Sequence, residues 1–137
     1  MTILTRAELL KQRPRRTKRI TLPESIPELA GKVIIVQAMT ARERANYERS
    51  LLNPKTGEPD MKRAMQARER MAIACVVDED GNRMLTPADL EALNKIDVAV
   101  LALIATAAME LSTGSDDDYE EMVGNSEPTT GEDSACA

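Results

Sequence analysis

The sequence contains no histidine, no tryptophan and no phenylalanine, and only two tyrosines. Without histidine the chain cannot build a Ser-His-Asp triad, a Cys-His nucleophile pair or a histidine-ligated zinc site. Its six glycines are scattered, so the sequence has no glycine-rich loop of the kind that holds a phosphate. These absences remove most enzyme classes from consideration. We therefore predict a protein that is not an enzyme and that carries no cofactor.

Cysteine and long apolar runs are also scarce. The two cysteines, Cys75 and Cys136, are far apart and form no CxxC pair, which is typical of a chain from a reducing cytosol. Cys75 lies in an apolar run, so we expect it to be a small core residue. The longest uncharged apolar run, Val98–Met109, has twelve residues, whereas a membrane span needs about 20. The sequence predicts a soluble intracellular protein without a membrane partner.

Charge is present in abundance but is unevenly distributed. The formal net charge is −5. Residues 1–20 carry seven Lys/Arg and one Glu, and residues 111–137 carry eight Asp/Glu and no Lys/Arg. We predict a basic N-terminal arm over residues 1–16 and an acidic flexible tail over residues 114–137. Two interpretations stay open: the ends are solvated tails, or they drive head-to-tail self-association.

The segment between these ends predicts one globular domain over residues 17–113, of the α+β class and predominantly α. A β-hairpin over residues 17–37 is expected from β-branched strands on either side of a Pro/Gly-rich connection. Capping-box patterns at Thr5/Glu8, Thr40/Glu43 and Thr86/Asp89 mark helix starts. The hairpin should pack on a bundle of about four helices, at about 40–52, 61–77, 87–94 and 96–111.

A stretch from Asp78 to Asp89 resembles the loop of a calcium-binding EF-hand at several positions. Arg83 takes the sixth position, where the loop needs glycine, and Asp89 takes the twelfth, where a bidentate Glu is usual. An Asp/Gly/Asn turn followed by a capped helix explains the same residues. We predict the turn and no metal site, and keep a calcium-responsive regulator as a lesser alternative.

Two charged segments invite functional interpretations. Lys11–Arg19 could serve as a nucleic-acid arm, but it has no aromatic residue to stack on bases and the rest of the chain is acidic. Asp116–Glu121 could bind a metal weakly, but a solubilising tail explains it as well. We predict no specific nucleic-acid partner, and a nucleic-acid-binding regulator stays a lesser alternative.

Two apolar helices, over 61–77 and 96–111, offer either a domain core or a surface for a partner's hydrophobic segment. Surfaces rich in Met and poor in aromatic residues adapt to many shapes. The candidate partner-binding residues are Met61, Met65, Met71, Val98, Leu101, Ile104 and Met109.

The order of segments resembles the small tail assembly chaperones of long-tailed bacteriophages (siphoviruses). The resemblance runs from residue 17 to about residue 125 and is carried by the strands KRITLPES and KVIIVQAMT, then TARERANYERSLL, ARERMAIACVVDEDGNRMLTPADLEAL and an acidic end with EEMVGNS. It implies a non-enzymatic protein in the host cytoplasm. Such a protein coats the tape measure protein, keeps it soluble and helps tail-tube subunits assemble around it. The resemblance further implies that the protein is absent from the mature virion, and many members of the group also occur as a longer frameshifted form.

An alternative from the same phage region is a virion structural protein or a head-tail connector. That alternative differs from a chaperone in one respect: a structural protein stays in the finished particle.

Overall fold

The computed structural model describes residues 2–113 and shows a mixed α+β fold that is mostly helical, as the sequence predicted. The predicted acidic tail over residues 114–137 lies outside the described residues. The elements, in chain order, are α1 Arg6–Leu10, β1 Thr17–Thr21, β2 Val33–Gln37, α2 Ala41–Ser50, α3 Met61–Ala64, α4 Ala67–Cys75, β3 Val76–Val77, a 3₁₀ turn at Pro87–Asp89, α5 Leu90–Leu93 and α6 Val98–Thr113.

The N-terminal strands form the predicted antiparallel hairpin, with Thr17 opposite Gln37 and Thr21 opposite Val33. The connection between them closes through backbone hydrogen bonds from Leu22 N to Lys32 O and from Gly31 N to Leu22 O. Gly31 has a φ of 80°, a conformation that favours glycine. Leu22 is buried, so this connection is fixed to the body of the protein.

The sheet has a third strand that the sequence analysis did not predict. Val76 and Val77 pair antiparallel with Val36 and Ile35, which makes β2 the central strand. Two consecutive β-branched valines favour an extended backbone. The free edge of β2 supplies the hydrogen-bonding partners that such a short strand needs.

The predicted continuous helix over 61–77 is therefore wrong. The segment divides into α3, a tight turn at Met65 and Gln66, α4, and then β3. At the turn Gln66 N donates to Arg63 O, a spacing of three residues, and Gln66 has helix-incompatible dihedrals of −101° and 18°. No Gly or Pro marks the break, so the local sequence carries no sign of it.

Two other helix predictions need smaller corrections. The segment predicted as a helix over 87–94 is a 3₁₀ turn followed by one helical turn, and the helix predicted over 96–111 begins at Val98 and ends at Thr113. Asp97 shifts that start, because its carboxylate accepts a hydrogen bond from Ala99 N at 2.8 Å. The helix predicted over 40–52 is α2, shorter by a residue or two at each end.

The core lies where α4, α6 and the sheet meet. Among its members are Val36, Ala72, Cys75, Ile104 and Ala108, all nearly inaccessible to solvent. Small Ala and Cys side chains let α4 and α6 approach closely, which suits a chain without Phe or Trp. Helix α6 also contacts β1 and β2, so one apolar helix holds both layers together.

The N-terminal arm is partly attached to this body. Arg15 donates to Ala38 O and forms an ion pair with Glu43, and Arg16 donates to Leu111 O at the end of α6. By contrast, α1 has its capping box but buries none of its residues.

Candidate partner-binding surface

Helix α6 has two apolar faces, which explains why its sequence is apolar on nearly every side. One face carries Val100, Leu101, Ile104, Ala107, Ala108 and Leu111, all buried in the core. On the other face, Val98, Ala102, Ala105 and Met109 follow each other at spacings of four, three and four residues. That spacing places them on one side of a helix. We call these four residues the outer stripe.

The outer stripe is accessible to solvent. Val98 is 60% exposed and Met109 is 47% exposed, while the two alanines are half-buried. An open groove of about 590 Å³ runs along the lower part of the stripe from Ala102 to Thr113, and Arg68 of α4 forms its other side. The groove has an apolar floor of alanine and methionine between the charged side chains of Arg68 and Glu110.

Glu110 is itself held in place. Lys18 Nζ lies 2.7 and 2.8 Å from its two carboxylate oxygens, so β1 and α6 are joined at the edge of the groove. Both side chains are more than 40% exposed, and an ion pair of this kind contributes at most about 1 kcal/mol. Its effect is to position Glu110 and to leave the cation Arg68 facing the groove.

The structure separates the seven residues that the sequence singled out. Met61 and Met65 are each 77% exposed, and Val98 and Met109 belong to the outer stripe. Met71, Leu101 and Ile104 are buried members of the core and do not reach the surface in this conformation. A partner that binds the folded chain would therefore contact the exposed residues Met61, Met65, Val98 and Met109.

Sequence reasoning missed Ala102, Ala105 and Arg68. The alanines could have been found, because the series 98, 102, 105, 109 is visible in the sequence once the opposite face is assigned to the core. Arg68 could not have been found from the sequence, since its place beside α6 depends on how α4 packs.

The four apolar residues Ile3, Leu4, Leu9 and Leu10 make a second exposed set on the N-terminal arm, and each is more than half exposed. The basic charge of this arm was predicted from the sequence, but its exposed leucines were not. Ile3 and Leu4 precede α1, Leu9 and Leu10 end it, and none of the residues of this helix is buried.

The turn that resembled an EF-hand loop has the geometry of a turn. The Asp78 carboxylate accepts hydrogen bonds from Asp80 N at 2.9 Å and Asn82 N at 3.0 Å, and Gly81 has a φ of 84°. Asp89, the last residue of the 3₁₀ turn, accepts from the backbone N of the N-cap residue Thr86 at 2.8 Å, which is the return bond of a capping box. The predicted turn and capped helix are confirmed, and both carboxylates bond backbone N–H groups of this segment.

Cys75 is a core residue, as predicted, with 1% exposure. Its thiol lies 3.7 Å from the sulfur of Met71. Burial, followed by the negative charge of Glu43, raises the pKa of the thiol to about 11. The group is therefore protonated at neutral pH and is a poor nucleophile.

Within residues 2–113, no group of three or more acidic or cysteine side chains is placed to hold a metal ion. In that same part of the chain, every helix is too short or too polar to cross a membrane.

Comparison with known proteins bears on the fold. No family model and no curated protein matches the chain. Among solved structures, it is similar to the tail assembly chaperone of bacteriophage HK97, with a TM-score of 0.54. The chain has the fold of that chaperone. The match covers 79% of this chain and 91% of the HK97 protein at 16% identity, so the likeness extends over nearly the whole of the smaller structure.

Proposed function

We propose that this chain is a phage tail assembly chaperone that binds the tape measure protein and keeps it soluble while the tail is assembled. The observation that carries the proposal is the fold shared with the HK97 tail assembly chaperone over 91% of that protein. The segment order noted in the sequence supports the same assignment from a separate direction. On this proposal the chain acts in the host cytoplasm as a non-enzymatic protein and is absent from the mature virion.

The outer stripe supplies a physical means of binding. A long helical partner that is apolar along one face aggregates unless that face is covered. A stripe of small residues ending in Met109 allows a partner helix to approach closely, and methionine adapts to irregular side chains. Met61 and Met65, both strongly exposed, extend the apolar surface available on α3 and the turn after it. Arg68 and Glu110 beside the groove would keep the bound complex hydrated.

Co-expression with the tape measure protein of the same phage tests this proposal. We expect the tape measure protein to move from the pellet to the supernatant when the chain is present. Met109→Glu should abolish most of this effect, because it places a charge in the middle of the apolar groove. Met84→Glu is the matched control: Met84 is 57% exposed but lies beside Arg19 and Val33, away from α6.

An insoluble tape measure protein in the presence of the unchanged chain would contradict the proposal. Equal loss of solubility with Met109→Glu and Met84→Glu would contradict the outer stripe as the binding surface.

Mass spectrometry of purified particles distinguishes a chaperone from a virion structural protein or connector, since a virion protein or connector would be present in fixed copy number and a chaperone would not. Co-purification with tail tube protein would identify the second partner that the resemblance implies.

A further inference from the structure

A cleft lined by residues of α2, α3, α4 and α5 combines an apolar floor with a basic wall. It has a volume of about 410 Å³. Tyr47 of α2, Ile73 of α4 and Leu90 of α5 provide the floor, and the three arginines Arg63, Arg70 and Arg83 provide the wall. We call it the arginine cleft.

Two of the three arginines in this cleft form no ion pair within the described residues. Arg63 donates to Ser50 O at 3.1 Å and Arg70 donates to Gln66 Oε1 at 3.0 Å, both neutral acceptors. Neither guanidinium forms an ion pair with a carboxylate in residues 2–113, and Arg70 Nε is buried without a hydrogen-bond partner there. Among the described lining residues, Glu43 is the one carboxylate, and it is shared between Arg15 and Arg83.

This arrangement is suited to a carboxylate ligand. A guanidinium binds a carboxylate through two parallel N–H donors. Desolvation by burial, together with the charge of Arg63, lowers the pKa of Arg70, and these effects outweigh the opposing charges of Asp60 and Glu69. An added negative charge would therefore stabilise this group. The apolar floor adds a preference for a carboxylate that stands next to an aromatic or aliphatic side chain.

The chain carries such a segment in the sequence that follows α6. Residues 116–123 read DDDYEEMV, with five carboxylates around Tyr119, Met122 and Val123. Helix α6 ends at Thr113, and Arg16 donates to Leu111 O while its neighbour Arg15 pairs with Glu43 of the cleft. Two adjacent arginines thus join the end of α6 to the edge of the cleft. Six residues from Thr113 to Tyr119 can span about 20 Å when extended.

We infer that the arginine cleft binds the acidic segment 116–123 of the same chain, with carboxylates on Arg63 and Arg70 and an apolar side chain on the Tyr47–Leu90 floor. The contact is intramolecular, so the short connection gives it a high effective concentration. This inference goes beyond the proposed function, and neither one depends on the other being correct. It gives the acidic end a defined place on the folded domain.

The test uses the full chain with Tyr119→Trp, which introduces its single tryptophan. Fluorescence emission should lie at shorter wavelength than that of a peptide of residues 114–137 with the same substitution. Adding Arg63→Gln or Arg70→Gln should shift the emission to longer wavelength, and so should the triple change Asp116→Asn, Asp117→Asn, Asp118→Asn. High salt should produce the same shift, because the contact depends on charge.

Two matched controls should leave the emission unchanged. Arg68→Gln removes an arginine of α4 that faces the other groove, and Glu127→Gln, Glu132→Gln, Asp133→Asn removes three charges farther along the acidic end. Emission of the full chain equal to that of the peptide would overturn the inference. So would a shift that disappears on dilution, since that would place the segment on a second copy. If an arginine variant fails to fold, the triple change at 116–118 decides, because it leaves residues 2–113 intact.

Discussion

Cys75 shows how burial sets the behaviour of a single residue in this core. Its side chain is enclosed by α4 neighbours and the sheet, and its sulfur contacts the sulfur of Met71. The sequence identified it as a core residue from its apolar surroundings alone. The same burial that fixes its position also makes ionisation of the thiol unfavourable.

The stability of the protein should therefore fall in mildly alkaline solution. The pKa of Cys75 rises from an ordinary 9.0 to about 11 on folding. The folded chain keeps the proton when the unfolded chain has lost it, so this contribution is complete below about pH 9 and is lost as the pH rises through about 11. The expected loss is about 2 kcal/mol in the free energy of unfolding, measured by urea denaturation across this range.

Cys75→Ala is the control for this prediction. It removes the titrating thiol but keeps Tyr47, whose pKa is also raised by burial, so any contribution of Tyr47 remains in both chains. The alanine variant should be less stable at neutral pH because of the smaller side chain, and it should lose less stability between about pH 9 and pH 11. Parallel curves for the two proteins would refute a role for Cys75.

At the scale of elements, two helices begin with the same capping box but differ in their contacts. In α1 and in α2, a threonine hydroxyl accepts a 3.2 Å hydrogen bond from the glutamate N–H three residues later, and the glutamate carboxylate accepts a 3.0 Å bond in return. Helix α2 packs Tyr47 against the core, whereas α1 buries nothing. Equal local geometry therefore has unequal consequences for the fold.

Replacing the two capping threonines should reveal this difference. Thr40→Ala should lower the free energy of unfolding by about 1 kcal/mol, the usual cost of losing an N-cap. Thr5→Ala removes an identical cap from a helix that does not contribute to the core, so global unfolding should be unchanged. Thermal or urea denaturation followed by circular dichroism measures both. Similar losses in the two variants would mean that α1 packs on the body in solution.

The capping boxes were predictable because they depend only on residues three apart in the sequence. The strand β3 and the turn at Gln66 were not predicted, because they depend on contacts with distant segments. Thr40 and Glu43 specify a helix start whatever lies around them. Val76 and Val77 became a strand because the edge of β2 was available, and the turn at Gln66 carries no Gly or Pro. Both features depend on contacts between segments far apart in the sequence.

The candidate site was predictable to the same limited extent. The spacing of residues in α6 contains the outer stripe, and the exposure of Met65 and Met109 agrees with a surface role. Helix α6 has two apolar faces, and its packing against α4 and the sheet determines which of them lies in the core. For that reason Met71, Leu101 and Ile104 joined the candidates although they are buried.

At the scale of the whole molecule, the apolar surface and the charge are both divided between separate regions. The arm presents Ile3, Leu4, Leu9 and Leu10 on a basic segment, while the whole chain carries a net charge of −5. A helix that exposes two adjacent leucines and buries none of its residues gains stability by covering them with another surface. A second copy of the chain offers the same exposed leucines of α1 for this purpose. We therefore expect self-association through α1.

Replacing Leu9 and Leu10 by glutamate should weaken that association without unfolding the protein. Sedimentation velocity at increasing concentration should show association for the unchanged chain and a monomer for the double variant, while the free energy of unfolding of the monomer stays the same because neither leucine is in the core. Thr2→Glu with Gln12→Glu adds the same two charges to the arm and keeps both leucines, so association should be reduced far less. If both double variants associate equally, the leucines are not the contact. If the unchanged chain stays monomeric at every concentration, α1 is instead free to cover an apolar face of a different protein, and the tape measure protein becomes the first candidate to test.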